Sequence, residues 1–290
     1  MIDRKDEPTG ETPRIAVVLG SQRSGTTAIG RLAGAQEGVA HVGEIFHAVR
    51  GPQDDPDFER YLTVPEANFF SFKERFLTRF PALVYPSNVH QTRIWEAYRH
   101  HLFSLGSAKL WVIDVKYNSL HHLNPVWQAL YAWPMLFTLL AKEKAPILHV
   151  VREDLFAQAL SGLRADHFRH WHSQAGGTDA PQGAIGVDPR ELERRMNTSL
   201  HLKNHYANLL ASYAPTARLT YEQAFAGGDL TAEARRAVAA LYGLARPLSG
   251  AMPLEKVAKG SLSDQVSNAA AVLAHFKGGQ HEAGVMKHLG

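Results

Sequence analysis

Three short runs of apolar residues mark the chain, at 15–19, 110–115 and 147–151. Continuous runs of this length, rich in Val, Ile and Leu, are typical of parallel strands buried on both faces. The stretches 25–35 and 153–168, which follow the first and third runs, carry apolar residues at helical spacing. Strands that alternate with helices predict a single α/β domain with a central, mainly parallel sheet and helices on both faces.

The pattern elsewhere is weaker. A fourth strand is predicted at 217–221, after a long amphipathic stretch at 189–213. The aromatic-rich region 51–86 predicts an irregular or helical insertion beside the sheet. The most apolar window, 126–141, predicts a buried helix, a turn and a second buried piece, because Gln128 and Pro134 interrupt it and it is shorter than the ~20 residues of a membrane-spanning helix. The Gly- and Pro-rich stretch 173–188 predicts a long surface loop of the kind that often gates a site.

Composition narrows the class of protein. With 290 residues, of which 45% are hydrophobic, the chain can bury one large core. A formal net charge of +3 does not indicate a nucleic-acid-binding protein, and the absence of cysteine excludes disulfides and thiolate metal sites. Residues 1–13 are polar and lack the apolar segment of a secretory signal, which predicts a disordered leader, a domain at 14–290 and a cytoplasmic location.

The stretch GSQRSGTT, residues 20–27, has the outline of a phosphate-binding loop between a strand and a helix. Thr26 stands where the Walker lysine would be. Backbone N–H groups at the start of a helix bind anionic oxygens, and the hydroxyls of Ser24, Thr26 and Thr27 add donors. Arg23 could supply the positive charge that the lysine would have given. The pattern therefore predicts a P-loop-like, nucleotide-binding core.

A second anion site is predicted in ILHVVREDLFAQALSG, residues 147–162. Arg152 ends the third apolar run, and Ser161 follows nine residues later on the predicted helix. Open α/β sheets bind ligands at the carboxyl ends of their strands, which is where this arginine would lie. A surface arginine that only ends the strand is the alternative reading of Arg152 taken alone.

Together, GSQRSGTT and VREDLFAQALS resemble the two donor-binding motifs of sulfotransferases that use 3′-phosphoadenosine-5′-phosphosulfate (PAPS). The resemblance implies that the loop, Gln22 included, holds the 5′-phosphosulfate. It implies that Arg152 and Ser161 hold the 3′-phosphate and that 3′-phosphoadenosine-5′-phosphate (PAP) is the product. The missing lysine is then expected, because this donor has no γ-phosphate and the family needs no metal. The 5′ site would comprise Arg23, Ser24, Gly25, Thr26 and Thr27.

Two further segments resemble the bacterial carbohydrate branch of that family, the trehalose and nodulation-factor sulfotransferases. GVAHVGEIFH, residues 38–47, is similar to a Gly-Glu segment of these enzymes, and RLTYEQAF, residues 218–225, to a strand whose tyrosine, here Tyr221, approaches the adenine. The stretch Lys259-Gly260-Ser261 resembles a segment that touches the 3′-phosphate in some members. The acceptor implied is a hydroxyl of a carbohydrate, a glycolipid or a small natural product. A homodimer is an open alternative to a monomer.

Sulfuryl transfer needs a bound donor, stabilised charge and a base. Arg23 and Lys116, the latter at the end of the second apolar run, are candidates for charge stabilisation. Glu44 is the preferred base, because its apolar neighbours would raise its pKa by desolvation. His41 and His47 stay open as alternatives.

Two other functions compete with this reading. A P-loop kinase or nucleotide hydrolase would use Asp114 of WVID to hold Mg²⁺, and a nucleotide-binding module would do no chemistry. A metal site at His167 and His170 is disfavoured, because no carboxylate pattern accompanies them. The stretch 166–172 that contains them is instead expected to contact a sugar or an anionic acceptor.

Overall fold

The computed structural model describes residues 12–51, 53–55, 58–127, 132–169, 173–174, 183–252, 254–255 and 261–290. Nine strands lie in this part of the chain. In chain order, β1 to β9 are Arg14–Gly20, Val39–Glu44, Leu110–Lys116, Ile147–Val151, Ser173–Gln174, Thr216–Thr220, Phe225–Ala226, Asp229–Leu230 and Leu254–Glu255. Five of them form one sheet in the order β2-β3-β1-β4-β6, and every neighbouring pair is parallel. The four short strands pair antiparallel as β5 with β9 and β7 with β8.

Ten α-helices are seen in the same residues. In chain order, α1 to α10 are Thr26–Gly34, Phe69–Arg79, Asn88–Ser104, Met135–Lys142, Leu155–Phe168, Pro189–Leu210, Tyr221–Ala224, Ala232–Tyr242, Ala269–Phe276 and Glu282–Leu289. Short 3-10 helices occupy Phe58–Arg60, Pro65–Ala67, Pro81–Leu83, Tyr117–Leu123 and Ser263–Gln265.

Both faces of the central sheet are covered by helices. Alternate residues of β1 point to opposite faces, so that Ile15 and Val17 pack with α2, α3, α4 and α6, whereas Ala16 and Val18 pack with α1 and α8. A third apolar cluster joins α5 and α6 to the C-terminal helices α9 and α10. The predicted α/β class, with a parallel sheet inside two helical layers, is confirmed.

The three apolar runs are confirmed as β1, β3 and β4, and the fourth strand is found at Thr216–Thr220. The pattern of apolar runs did not predict β2. This strand carries His41 and Glu44 among its apolar residues, and at Gly43 its pairing with β3 shifts register. Gly43 has a φ of +83°, and the carbonyl oxygen of Tyr61 lies where a Cβ would be, so glycine is required there. A strand interrupted in this way shows no continuous apolar run.

The prediction of two buried pieces in 126–141 is half wrong. The second piece is the buried helix α4, but Val126 and Trp127 are exposed and not helical. The amide of Val126 donates to the Pro86 carbonyl (3.0 Å). Residues 128–131 lie outside the described part.

The insertion predicted at 51–86 contains three 3-10 helices and α2, as expected. Of the loop predicted at 173–188, residues 173–174 form β5, Ile185 bridges to Val266, and 175–182 lie outside the described residues. The same holds for residues 1–11 of the predicted leader. No helix in the described ranges is long and apolar enough to cross a membrane.

Candidate functional site

The candidate site lies at the carboxyl ends of β1 and β4, which are neighbours in the sheet. The chain leaves β1 through α1 toward the edge strand β2, and it leaves β4 through α5 and α6 toward the opposite edge strand β6. Because the two connections diverge, a crevice opens between the strand ends, and ligands of open α/β sheets bind in such crevices. The predicted phosphate loop follows β1, and Arg152 follows β4, so both border this crevice.

The backbone of the loop turns tightly between β1 and α1. Arg23 and Gly25 have φ values of 64° and 88°, in the left-handed region. A Cβ on Gly25 would lie 2.8 Å from the ring of Phe225, and one on Gly20 would lie 2.6 Å from the Val150 carbonyl oxygen. Gly25 gives α1 no side-chain cap. The first amides of α1 therefore point out of the helix with no capping side chain, as an anion-binding helix start requires.

Two arginines meet beside this loop. The Nε of Arg23 donates to Ser161 Oγ (3.0 Å), and Nη1 of Arg152 donates to the backbone carbonyl of Arg23 (3.1 Å). The Arg152 guanidinium also lies 4.5 Å from the centre of the Tyr221 ring, a cation–π contact. The structure thus brings together Arg23, Arg152, Ser161 and Tyr221 from three separate parts of the chain.

The electrostatics of this pair favour an anion. Burial and, to a lesser extent, the neighbouring Arg152 lower the pKa of Arg23 to about 10, while Tyr221 opposes the shift. Burial also lowers the pKa of Arg152. The Nε of Arg152 is buried and has no hydrogen-bond partner among the described residues. A buried N–H donor of this kind is costly unless an acceptor forms a hydrogen bond with it. An oxygen atom of a bound phosphate would be such an acceptor.

Two residues that the sequence did not single out hold this arrangement. Gln158 donates to the Ser21 hydroxyl and to the Gln22 carbonyl (2.9 Å), which fixes the loop to α5. Glu222 accepts from the amides of Glu153 (3.1 Å) and Asp154 (3.0 Å) and so fixes the turn after Arg152. Gln158 lies three residues before Ser161, on the same face of α5. That spacing was the signal available in the sequence.

A second group of charges lies on the other side of the loop, at the ends of β3 and β2. Lys116 is aligned with Gly20 across the β1–β3 pair. Its Nζ donates to the hydroxyl of Thr26 and to both carboxylate oxygens of Asp114 (2.9 and 2.8 Å), and it lies 3.4 Å from Glu44 Oε1. Thr27 also donates to Asp114 (3.2 Å). An ammonium group from β3 thus contacts the residue that replaces the Walker lysine.

The titration behaviour of this group follows from burial and pairing. Burial raises the pKa of Glu44, as its apolar neighbours predict, while the Lys116 ammonium opposes the shift and Asp114 adds to it. Burial alone would lower the pKa of Lys116, but the carboxylates of Asp114 and Glu44 outweigh it and raise that pKa. Lys116 is therefore a permanent cation beside a carboxyl group that binds a proton more readily than usual.

The two histidines that were alternatives for the base are placed differently. His41 is buried in β2 under α1, against Gly30 and Gly34, and burial lowers its pKa to about 4. His47 stacks on Tyr61 with ring centres 4.0 Å apart, and its Nδ1 accepts from the Val49 amide (3.1 Å). Burial and then Lys116 lower the pKa of His47. Both rings are thus occupied by local packing.

The remaining predicted residues lie apart from the carboxyl ends of the central strands or outside the described ranges. Asp166 pairs with Arg195 (2.7 Å), and His170 lies outside the described residues. Lys259 and Gly260 are outside as well, and Ser261 bonds to Asp264 (2.6 Å) on the surface. Within the described part of the chain, no group of three or more His, Cys, Asp or Glu side chains is arranged to hold a metal ion.

A scan of the chain against models of known protein families finds none that matches, and no curated protein matches it in sequence.

Proposed function

We propose that the protein is a sulfotransferase that moves a sulfuryl group from PAPS to a hydroxyl of a carbohydrate, a glycolipid or a small natural product. The observation that carries the proposal is the meeting of Arg23, Ser161 and Arg152 beside the loop, with the buried Arg152 Nε left for an acceptor. A donor with phosphates at both the 5′ and the 3′ positions needs two anion sites near one adenine. The loop and the arginine pair supply two such sites, and the Tyr221 ring lies beside the second.

In this proposal each residue has a defined task. The loop amides, with Arg23, bind the 5′ end of the donor, while Arg152 and Ser161 bind the 3′-phosphate. Lys116 lies beside Thr26 and so next to the loop, where its ammonium would stabilise negative charge on the transferred group. Asp114 orients Lys116 and Thr27. Because Lys116 contacts both Asp114 oxygens, this carboxylate is neutralised by an ammonium.

Glu44 is the proposed base. The acceptor oxygen uses a lone pair to form the new S–O bond, its proton passes to Glu44, and the S–O bond to the 5′-phosphate breaks to release PAP. Burial raises the pKa of Glu44, which makes its carboxylate a stronger base than an exposed one. The Lys116 ammonium, 3.4 Å away, opposes this rise in pKa and favours the ionised carboxylate.

The test is ligand-induced stabilisation. PAP at a hundredfold excess over Kd should stabilise the protein by about 2.7 kcal/mol, and Arg152→Ala should remove most of this effect. Arg194→Ala, on the exposed side of α6, is a matched control that should leave it unchanged. Equal stabilisation by ADP, with no loss in Arg152→Ala, would contradict the proposal.

A second candidate function has one specific observation in its favour. The Thr27 hydroxyl bonds to Asp114, which is the pairing that holds Mg²⁺ in P-loop kinases and nucleotide hydrolases. ATP with Mg²⁺ would then stabilise the protein more than PAP does, and the effect would vanish with EDTA. The sulfotransferase proposal expects turnover that survives EDTA.

A further inference from the structure

Large apolar side chains with high exposure are concentrated in one region of the molecule. In the described residues these side chains are Phe80, Val84, Tyr85, Val89, Val126, Trp127 and Met286. All but Met286 come from two segments, residues 80–89 between the end of α2 and the first turn of α3, and residues 126–127. Trp127 is 84% exposed and Val84 68%. Singly scattered apolar residues are normal on a surface, whereas a cluster of six indicates an interaction site.

The two segments are in contact with each other. The amide of Val126 donates to the carbonyl of Pro86 (3.0 Å), so the second segment lies against the first. The Tyr85 carbonyl is bonded to His90 Nδ1 (2.8 Å), which ties this turn to the first turn of α3. We call residues 80–89 with 126–127 the apolar tip.

The stretches of chain that contain the apolar tip carry basic but no acidic side chains. No Asp or Glu occurs from residue 75 to 95 or from 115 to 142, in a chain with 28 acidic residues. The first of these stretches contributes Arg75, Arg79 and Arg93, all exposed. The Arg79 guanidinium lies 5.5 Å from the centre of the Phe80 ring. Basic and apolar groups are therefore interleaved with no acid between them.

Charge decides between the partners that could cover such a surface. In a two-fold dimer the same surface meets itself, so the three arginines of one subunit would face those of the other. A bilayer with anionic phospholipid offers the complement of both features. Its phosphates attract the arginines, and its interface accepts Trp and Tyr rings together with short apolar side chains.

We propose that the apolar tip docks the protein on the surface of an anionic phospholipid bilayer, with Trp127 and Val84 inserted and Arg79 and Arg93 at the headgroups. This contact is peripheral. It rests on the surface alone and is independent of the sulfotransferase proposal.

The test is flotation with phosphatidylcholine vesicles that contain either no anionic lipid or about 30% phosphatidylglycerol, whose negative charge attracts basic residues. The full chain should float with the anionic vesicles only, and its tryptophan emission should shift to the blue. Arg79→Gln and Arg93→Gln should each lower the partition coefficient about fivefold, since each basic residue contributes about 1 kcal/mol. Trp127→Ser should weaken binding and remove the emission shift.

Met286→Ser is the matched control, because Met286 is similarly exposed (50%) but lies on α10. It should bind as the unaltered protein does, and circular dichroism should show that all variants are folded. Absence of flotation with anionic vesicles would overturn the proposal, as would an equal effect of Met286→Ser and Trp127→Ser. Dimerisation that is lost in Trp127→Ser, with no flotation, would assign the apolar tip to a second copy instead.

Discussion

Asp114→Asn should destabilise the protein strongly, although it changes only one atom type in the side chain. The carboxylate of Asp114 accepts twice from the Lys116 ammonium, at 2.9 and 2.8 Å, and both side chains are buried. Removing one partner of a buried ion pair costs about 3–5 kcal/mol, because the other charge stays buried. Glu44, 3.4 Å from Lys116, retains part of the attraction. We therefore expect a loss near the lower end, about 3 kcal/mol.

The assay is urea unfolding followed by circular dichroism at pH 7, with the m value as a check that the transition is comparable. Lys116→Met and the double variant Asp114→Asn/Lys116→Met complete a double-mutant cycle. The double variant removes both charges, and Glu44 can then take up a proton because burial raises its pKa. It should be more stable than the sum of the single losses by about 2 kcal/mol. A loss under about 1 kcal/mol for Asp114→Asn, or additive effects, would refute this reasoning.

Other expectations concern the base and the loop. Glu44→Gln should lower turnover by about 10² to 10⁴ and leave PAP affinity nearly unchanged. Turnover is measured with a hydroxyl acceptor, and PAP affinity is measured by calorimetric titration. The reaction needs the ionised form of Glu44, and burial raises the pKa of this residue. Turnover of the unaltered protein should therefore fall as the pH drops through a pKa above the ordinary 4.5. An acidic limb of the pH–rate profile at or below that value would speak against Glu44. Gly25→Ala should impair PAP binding, because the new Cβ would press on Phe225, whereas Gly38→Ala has similar positive φ but open space and should affect stability only.

The sequence by itself determined the class of fold and the loop. The continuous apolar runs that became β1, β3 and β4 can only be buried from both sides, so a parallel sheet between helical layers was the consistent solution. The loop GSQRSGTT was readable because its glycines act locally: Gly20 and Gly25 lie where the turn between strand and helix leaves no room for a side chain. The burial of Glu44 was expected from its apolar neighbours in the chain, but its contacts with Lys116 of β3 were not.

Only the tertiary structure decided how the charges are paired. Lys116 reaches Thr26 because β3 lies beside β1 in a register that sets Lys116 opposite Gly20. Arg23 meets Ser161, 138 residues later, because α5 follows a strand that is also a neighbour of β1. Trp127 is exposed although it lies in the most apolar window of the chain, and the residue before it is hydrogen-bonded to a distant turn. Whether a residue favours burial depends on its own type, so the pattern of apolar residues can be seen in the sequence. The pairing of charges depends on which strands become neighbours in the sheet.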